Sequence, residues 1–176
     1  TLVERETCPK DCFHWETCFG NNMPFAHRMS NRDERVLTNR IHNDIKDLKG
    51  KKALIRLHIL GDFFNVEYVW FWDLMLKLYP NIAIYGYTAN STSSKLEKSR
   101  NIAQAILSLR IKHKKRFSVR FSNDLKQEFS ANSEELQTPK KDKSIQCPEQ
   151  VGLTDTCGTC ALCWEQPKRQ IIFKTH

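Results

Sequence analysis

The stretch "TDTCGTCALCW", residues 154–164, sets Cys157, Cys160 and Cys163 three apart, and Cys147 precedes them in "QCPEQ". Zinc sites usually draw their ligands from two separated C-x2-C pairs. Three consecutive thiols on one short turn suit instead a cubic [4Fe–4S] cluster, whose separate irons each take one sulfur. Gly158 and Ala161 keep that turn small, and Trp164 is placed to shield one side. The spacing therefore predicts a metal centre at Cys147, Cys157, Cys160 and Cys163, a [4Fe–4S] cluster before zinc. At the other end, "CPKDCFHWETC" offers Cys8, Cys12 and Cys18 with no fourth cysteine close by. Three thiolates are what an open-site cluster shows, with one iron left for a small molecule; the alternative is a structural zinc site completed by His14 or His27. Ligands mixed between the two groups are a third arrangement. Seven cysteines are an odd number and argue for metal ligation over a disulfide framework. "FGNNMPFAHR" after Cys18 has the glycine and asparagines of an irregular loop, suited to lidding a cluster, with Met23 and Phe25 as packing residues.

Such thiols need a scaffold, and the cysteine-free middle supplies one. "SNRD" predicts a helix capped by Ser30, with Leu37, Ile41, Ile45 and Leu48 on one face and Gly50 as its stop. "ALIRLHIL" predicts a strand over 53–60, ended by "GD". An apolar helix follows over 66–79, with Trp70, Phe71 and Trp72 in the core and Pro80 closing it. "IAIYGYT" predicts a strand over 82–88. "SKLE" is a capping box at Ser94 for a helix through about Ile111, with Leu96, Ala103, Ile106 and Leu109 on one face. The basic run 112–116 reads as a solvated helix end. "FSVRF" is a third strand and "QIIF" a fourth. Strand and helix alternate, so the strands are expected to be parallel, with right-handed crossovers. The fold class is α/β: a parallel sheet of three to four strands with crossover helices, partial-barrel-like, with cysteine-rich metal-binding loops at both termini. One domain spans 1–176: a cysteine loop (1–29), an α/β core (30–123), a polar loop (124–146), and the C-terminal cysteine motif with the last strand (147–176).

Ligands of open parallel sheets sit beyond the carboxyl ends of the strands. Those ends carry His58, Gly61 and Asp62, then Tyr87 and Thr88, then Arg120, Ser122 and Asn123. The rim thus collects an imidazole, a carboxylate, hydroxyls, an amide and a guanidinium. Gly61 permits close backbone approach, and Asp62 suits an amine or ribose hydroxyl. Structural roles compete for the same residues: Asp62 and Asn65 as helix caps, His58 as an inward strand residue, Arg120 as a carboxylate's partner.

The 176 residues, 40% hydrophobic and 27% charged, suit a soluble globular chain. No apolar run reaches membrane-spanning length and no leader opens at Thr1, so no membrane partner and a cytoplasmic location are expected. A net charge of +8 suggests a polyanionic partner, DNA or RNA.

"TCPKDC…CFGNNMPFAHR", "RLHILGDFFNVEYVWFW", "IYGYTA", "RFSVRFSND" and "CPEQVG…CGTCALCW…IIF" together resemble the cysteine-rich phage and prophage family of the gene product 88 type, over nearly the whole chain. The resemblance implies the cytoplasm of a phage-infected or lysogenic bacterial host. More loosely, the chain resembles radical S-adenosylmethionine enzymes, which place a three-cysteine loop at the mouth of a partial α/β barrel. That resemblance implies an open [4Fe–4S] cluster on Cys8, Cys12 and Cys18, an auxiliary C-terminal cluster, S-adenosylmethionine as cofactor, and Gly61 and Asp62 near its amino group. The usual spacing there is C-x3-C-x2-C; here the second gap holds five residues, and no Gly-Gly-Glu follows the first strand. The competing expectation is a metal-stabilised protein that binds nucleic acid without catalysis.

Overall fold

The computed structural model describes residues 1–136, 144–165 and 169–174, with Phe19 described by its backbone only. Strands β1 (Ala53–Leu57), β2 (Ile82–Thr88) and β3 (Phe117–Phe121) form a parallel sheet in that order. Parallel neighbours need long crossovers. Helix α3 (Val66–Leu78) returns the chain from β1 to β2, and α4 (Glu97–Lys112) from β2 to β3. Helix α2 (Glu34–Lys46) precedes the sheet, and a single turn, α1 (Glu4–Thr7), opens the chain.

Along β2, burial alternates with the strand's period of two. Ile82 and Ile84 join Phe117, Val119 and Phe121 of β3 in one core with Val69, Trp72 and Leu76 of α3 and Ile102, Ile106 and Leu109 of α4. Tyr85 and Tyr87, in register with Ser118 and Arg120, face the other way. That second face receives two more single-turn helices, α5 (Cys157–Cys160) and α6 (Leu162–Glu165). Trp164 packs on Tyr85 with ring centroids 4.8 Å apart, and the Ser118 hydroxyl donates to the Trp164 carbonyl.

The expected fourth strand, β6 (Gln170–Phe173), belongs to a second sheet. It runs parallel between β4 (Ala131–Ser133) and β5 (Ser144–Gln146). This sheet hangs on the end of β3 by one parallel bridge, Ser122 to Ala131. Tyr87 of β2 touches Phe173 of β6, centroids 5.7 Å apart, although two strands lie between them in the array. The strand array is therefore curved, with that contact on its concave side.

Several expectations are corrected. The polar segment 124–146 is not simply a loop: β4 and β5 are built from it, and 137–143 lies outside the described residues. Ser130, Asn132 and Ser133 are buried there, with Asn132 Nδ2 donating to the Ser130 hydroxyl and the Ser133 N–H donating to Asn123 Oδ1, so hydropathy gave no sign of strand. Strand β1 stops at Leu57 because His58 takes a left-handed φ of 53° and turns the chain. Helix α2 is capped by Asp33, whose carboxylate accepts from the Arg35 and Val36 N–H groups, not by Ser30. Ser94 does not cap α4; its hydroxyl donates to Asp11 and accepts from the Leu96 N–H. Trp70 is 43% exposed and lies outside the core. The run 112–116 is only partly a solvated end: Lys114 and Lys115 are exposed, and the other three residues are engaged. Lys112 and His113 bind Asp73 of α3 at 2.8 and 2.7 Å, and Arg116 donates to the Tyr79 and Ile82 carbonyls. Among the described residues no helix is long and apolar enough to cross a membrane.

Candidate metal and ligand site

The first 29 residues are tied down over the carboxyl end of β1. The Leu2 N–H donates to the Leu60 carbonyl, Leu2 bridges Met29, and the Asp62 N–H donates to the Thr7 hydroxyl. Gly61, at φ 82°, is what lets this happen: a Cβ there would stand 2.6 Å from Leu2 Cβ and 2.7 Å from Thr7 Oγ1. Its close approach is thus to the chain's own N-terminal segment. Arg28 grips Glu4 through Nε and Nη2 at 2.8 and 2.9 Å and donates to the carbonyls of Gly20, Met23 and Ala26. This folds the loop after Cys18 beside α1. Phe25, expected to pack, is fully outside, and Met23 is exposed.

Within that loop the thiols sense one another. Burial pushes the Cys8 thiol up, and the charges of Asp62, Cys12 and Cys18 push it further. Cys12 is likewise raised by burial, then by Asp62 and Cys18, while the His14 N–H aimed at its sulfur lowers it. His14 reaches Asn123 at 3.3 Å and Thr17 at 3.4 Å, and His27 pairs with Arg40.

The second thiol group sits on the concave face. Thr156 caps α5 by accepting from the Thr159 N–H, Ala161 at φ 55° reverses the chain, and α6 delivers Cys163 to β2. The Tyr87 hydroxyl lies 2.9 Å from Cys163 Sγ. Arg120 is 1% exposed and donates to the carbonyls of Leu162, Cys163 and Arg169. Burial raises Cys163; the Tyr87 hydroxyl and the Arg120 charge oppose it, and Cys147 and Cys157 add to it. Cys147 is raised by burial and by Cys157, against the Gln150 and Glu149 N–H groups that point at its sulfur. Cys157 is exposed and Cys160 half-buried. Gly158 has ordinary room for a side chain, so it is not what shapes this turn.

Asp62 is buried and fully engaged. Its Oδ1 accepts from the Phe63 N–H and the Thr88 hydroxyl, both at 2.7 Å, and its Oδ2 from the Ala89 N–H at 2.6 Å. Burial carries its pKa up to about 6 in spite of those donors. The carboxylate staples the end of β1 to the end of β2 and does not face a ligand space. Thr88 is spent on Asp62 and Asn90. His58 packs edge-on to Phe63 and pairs with the Tyr68 hydroxyl at 3.1 Å, away from any cleft.

The predicted rim is therefore divided three ways. His58, Gly61, Asp62 and Thr88 build the joint under the N-terminal loop; Tyr87 and Arg120 hold the turn that carries Cys163; Asn123 lines a cleft. That cleft, about 350 Å³, is walled by Cys12 and His14 from the N-terminal loop, Ser91 and Ser94 after β2, and Asn123 and Asp124 after β3. Asp124 accepts from the Ser91 hydroxyl, and Asp11 from Ser94. Ser91, Asp11 and Asp124 lie outside the rim expected from the strand ends, and Ser94 figures in the sequence only as a helix cap. "NSTSS", placed directly after β2, was the available signal.

Among the described residues no three of His, Cys, Asp or Glu come close enough to hold a metal ion. The expected metal loops are thus present as two thiol groupings, not as formed metal centres.

A family model described as Gene product 88 matches residues 6–166. A curated relative, the gene 88 protein of Mycobacterium phage L5, is 24% identical over 156 residues, covering 80% of this chain and 63% of the relative. The chain therefore spans less than two thirds of that relative's length. No solved structure matches.

Proposed function

The chain belongs to the gene product 88 family, a phage protein family, and from that premise we propose that it is an iron–sulfur protein acting on S-adenosylmethionine. Cys8, Cys12 and Cys18 hold an open [4Fe–4S] cluster, and Cys147, Cys157, Cys160 and Cys163 hold an auxiliary one. The observation that carries the reading is a juxtaposition: the N-terminal thiols lie over the carboxyl ends of β1 and β2, and Cys12 lines a cleft of small-molecule size.

The donor chemistry fits. Buried thiols beside a carboxylate and beside one another resist ionisation, as Cys8 and Cys12 do. A cationic metal core removes that penalty, because coordinated thiols are deprotonated outright. Hydrogen bonds aimed at sulfur stabilise thiolate ligands. Cys12 has one from His14, Cys147 two from its own turn, and Cys163 one from Tyr87. When bound and reduced, the open cluster supplies one electron for breaking a sulfonium C–S bond. The chain's residues then bind and orient. Asp11 and Asp124 offer acceptors for an ammonium group or ribose hydroxyls, Asn123 and the serines offer neutral partners, and the N-terminal loop excludes water from one side.

Iron and sulfide analysis of anaerobically prepared protein tests this. About eight irons with matching sulfide are expected for two cubanes, with an EPR spectrum that shifts on adding S-adenosylmethionine and 5′-deoxyadenosine formed after reduction. Zinc without sulfide would replace the reading with a metal-stabilised binding protein. Clusters with no response to S-adenosylmethionine would leave an iron–sulfur protein of another activity.

A further inference from the structure

Because β1, β2 and β3 are parallel, the segments entering them share the end of the sheet opposite the cysteine loop. The segment entering β1 carries Lys49, Lys51 and Lys52; the one entering β3 carries Lys114, Lys115 and Arg116. These runs are remote in sequence. The order β1-β2-β3 brings them within two strand spacings, roughly 10 Å. All five lysines are exposed, and among the described residues no carboxylate pairs with them, whereas neighbouring Lys112 is held by Asp73. The entering segments 48–52, 79–81 and 114–116 contain no acidic residue. Between the two runs lies an open groove of about 350 Å³ lined by Lys52 and Arg116 and by the apolar Leu54, Pro80 and Ala83.

We propose that this end of the molecule is a docking surface for single-stranded nucleic acid. Charge complementarity selects a polyanion: unpaired ammonium groups on two flanks are a phosphate track. The apolar lining selects a single strand from among polyanions. Unpaired bases present apolar faces to lay on Leu54 and Pro80, while a duplex keeps those faces stacked inside and shows mainly its charged backbone. The recognition is sequence-independent, and it does not depend on any metal.

The test is fluorescence anisotropy of the protein with a labelled oligothymidylate across a salt series. Five lysine–phosphate contacts at about −0.7 each give a log–log slope near −3.5, a loss of about 100-fold between 50 and 200 mM salt. The double variant Lys114→Gln/Lys115→Gln should bind at least tenfold more weakly at low salt, with the slope reduced to about −2. Lys49→Gln/Lys51→Gln should do the same. Lys95→Gln/Lys98→Gln removes equal charge at the opposite end of the sheet and should leave binding unchanged. The proposal is overturned if the oligonucleotide does not bind, if the Lys95/Lys98 pair weakens it equally, or if a duplex of equal length binds more tightly. Capture by anionic phosphatidylglycerol vesicles without oligonucleotide binding would overturn it as well.

Discussion

Gly61 is the residue on which the placement of the N-terminal thiols turns. Its φ of 82° and its contact with Leu2 and Thr7 leave no room for a methyl group. Gly61→Ala should cost about 2–4 kcal/mol, combining left-handed strain with overpacking. Urea denaturation measures the loss, and a change below about 0.5 kcal/mol, the level of an inert surface substitution, would contradict this packing. His58 makes a second prediction. Burial holds its imidazole neutral down to about 3, against an ordinary 6.5. The unfolded chain therefore takes up a proton below 6.5 that the folded chain refuses. Stability is fully present above that value and is lost as pH falls toward 3, at about 1.4 kcal/mol per pH unit. In His58→Phe the stability–pH slope between about pH 6 and 4 should be shallower by that amount; an unchanged slope would mean that His58 is not buried and neutral. Tyr87 bears on the proposed function. Burial keeps its hydroxyl protonated and able to donate to Cys163, and donors to cluster sulfurs raise reduction potentials. If the proposed cluster occupies the C-terminal thiols, Tyr87→Phe should lower its potential in an EPR-monitored titration while leaving the iron content intact.

Among the elements, α3 and α4 are joined by more than apolar packing. Asp73, buried on α3, accepts from Lys77 one turn on and from Lys112 and His113 at the end of α4. Burial alone would raise its carboxyl, but these three donors hold it well below the usual carboxylate range. The clamp therefore stabilises the fold at neutral pH and is lost as the carboxylate protonates in acid. Asp73→Ala should cost about 1–3 kcal/mol, since the lysines are half-exposed and screened while the imidazole is not. Adding Lys112→Ala should cost less than it does alone, because the partners share one network. The sequence contained every member of this clamp, but "KHKKR" looked like a solvated run because its acceptor lies on another helix. Helices α2, α3 and α4 and strands β2, β3 and β6 were legible as apolar periodicity. Strands β4 and β5 were not, since serine and asparagine take most of their buried positions and hydropathy does not mark them.

At the scale of the whole molecule, the two cysteine segments are fastened to opposite features of one sheet. The first sits on its carboxyl edge through Gly61 and Asp62, the second on its concave face through Tyr87 and Arg120. If clusters occupy both, metal binding stabilises the segments far more than the core, which packs through α3, α4 and β1–β3. Stripping iron with a chelator under oxygen should lower the thermal midpoint and open 1–29 and 147–165 to protease while the central strands stay protected in hydrogen exchange. Uniform loss of protection would mean that the core depends on the metal too. Cysteine number and spacing, the alternation of strand and helix, and the surplus of lysine are properties of the chain itself. They suffice for two thiol groups on a parallel α/β body, because side-chain chemistry and local periodicity act over a few residues. Which rim residues face a cleft, which thiol meets Tyr87, and that Lys49–Lys52 neighbours Lys114–Arg116 depend on strand order and on which face each strand presents. Those follow from long-range packing, where one reversed turn at His58 or one buried carboxylate at Asp62 redirects an entire segment.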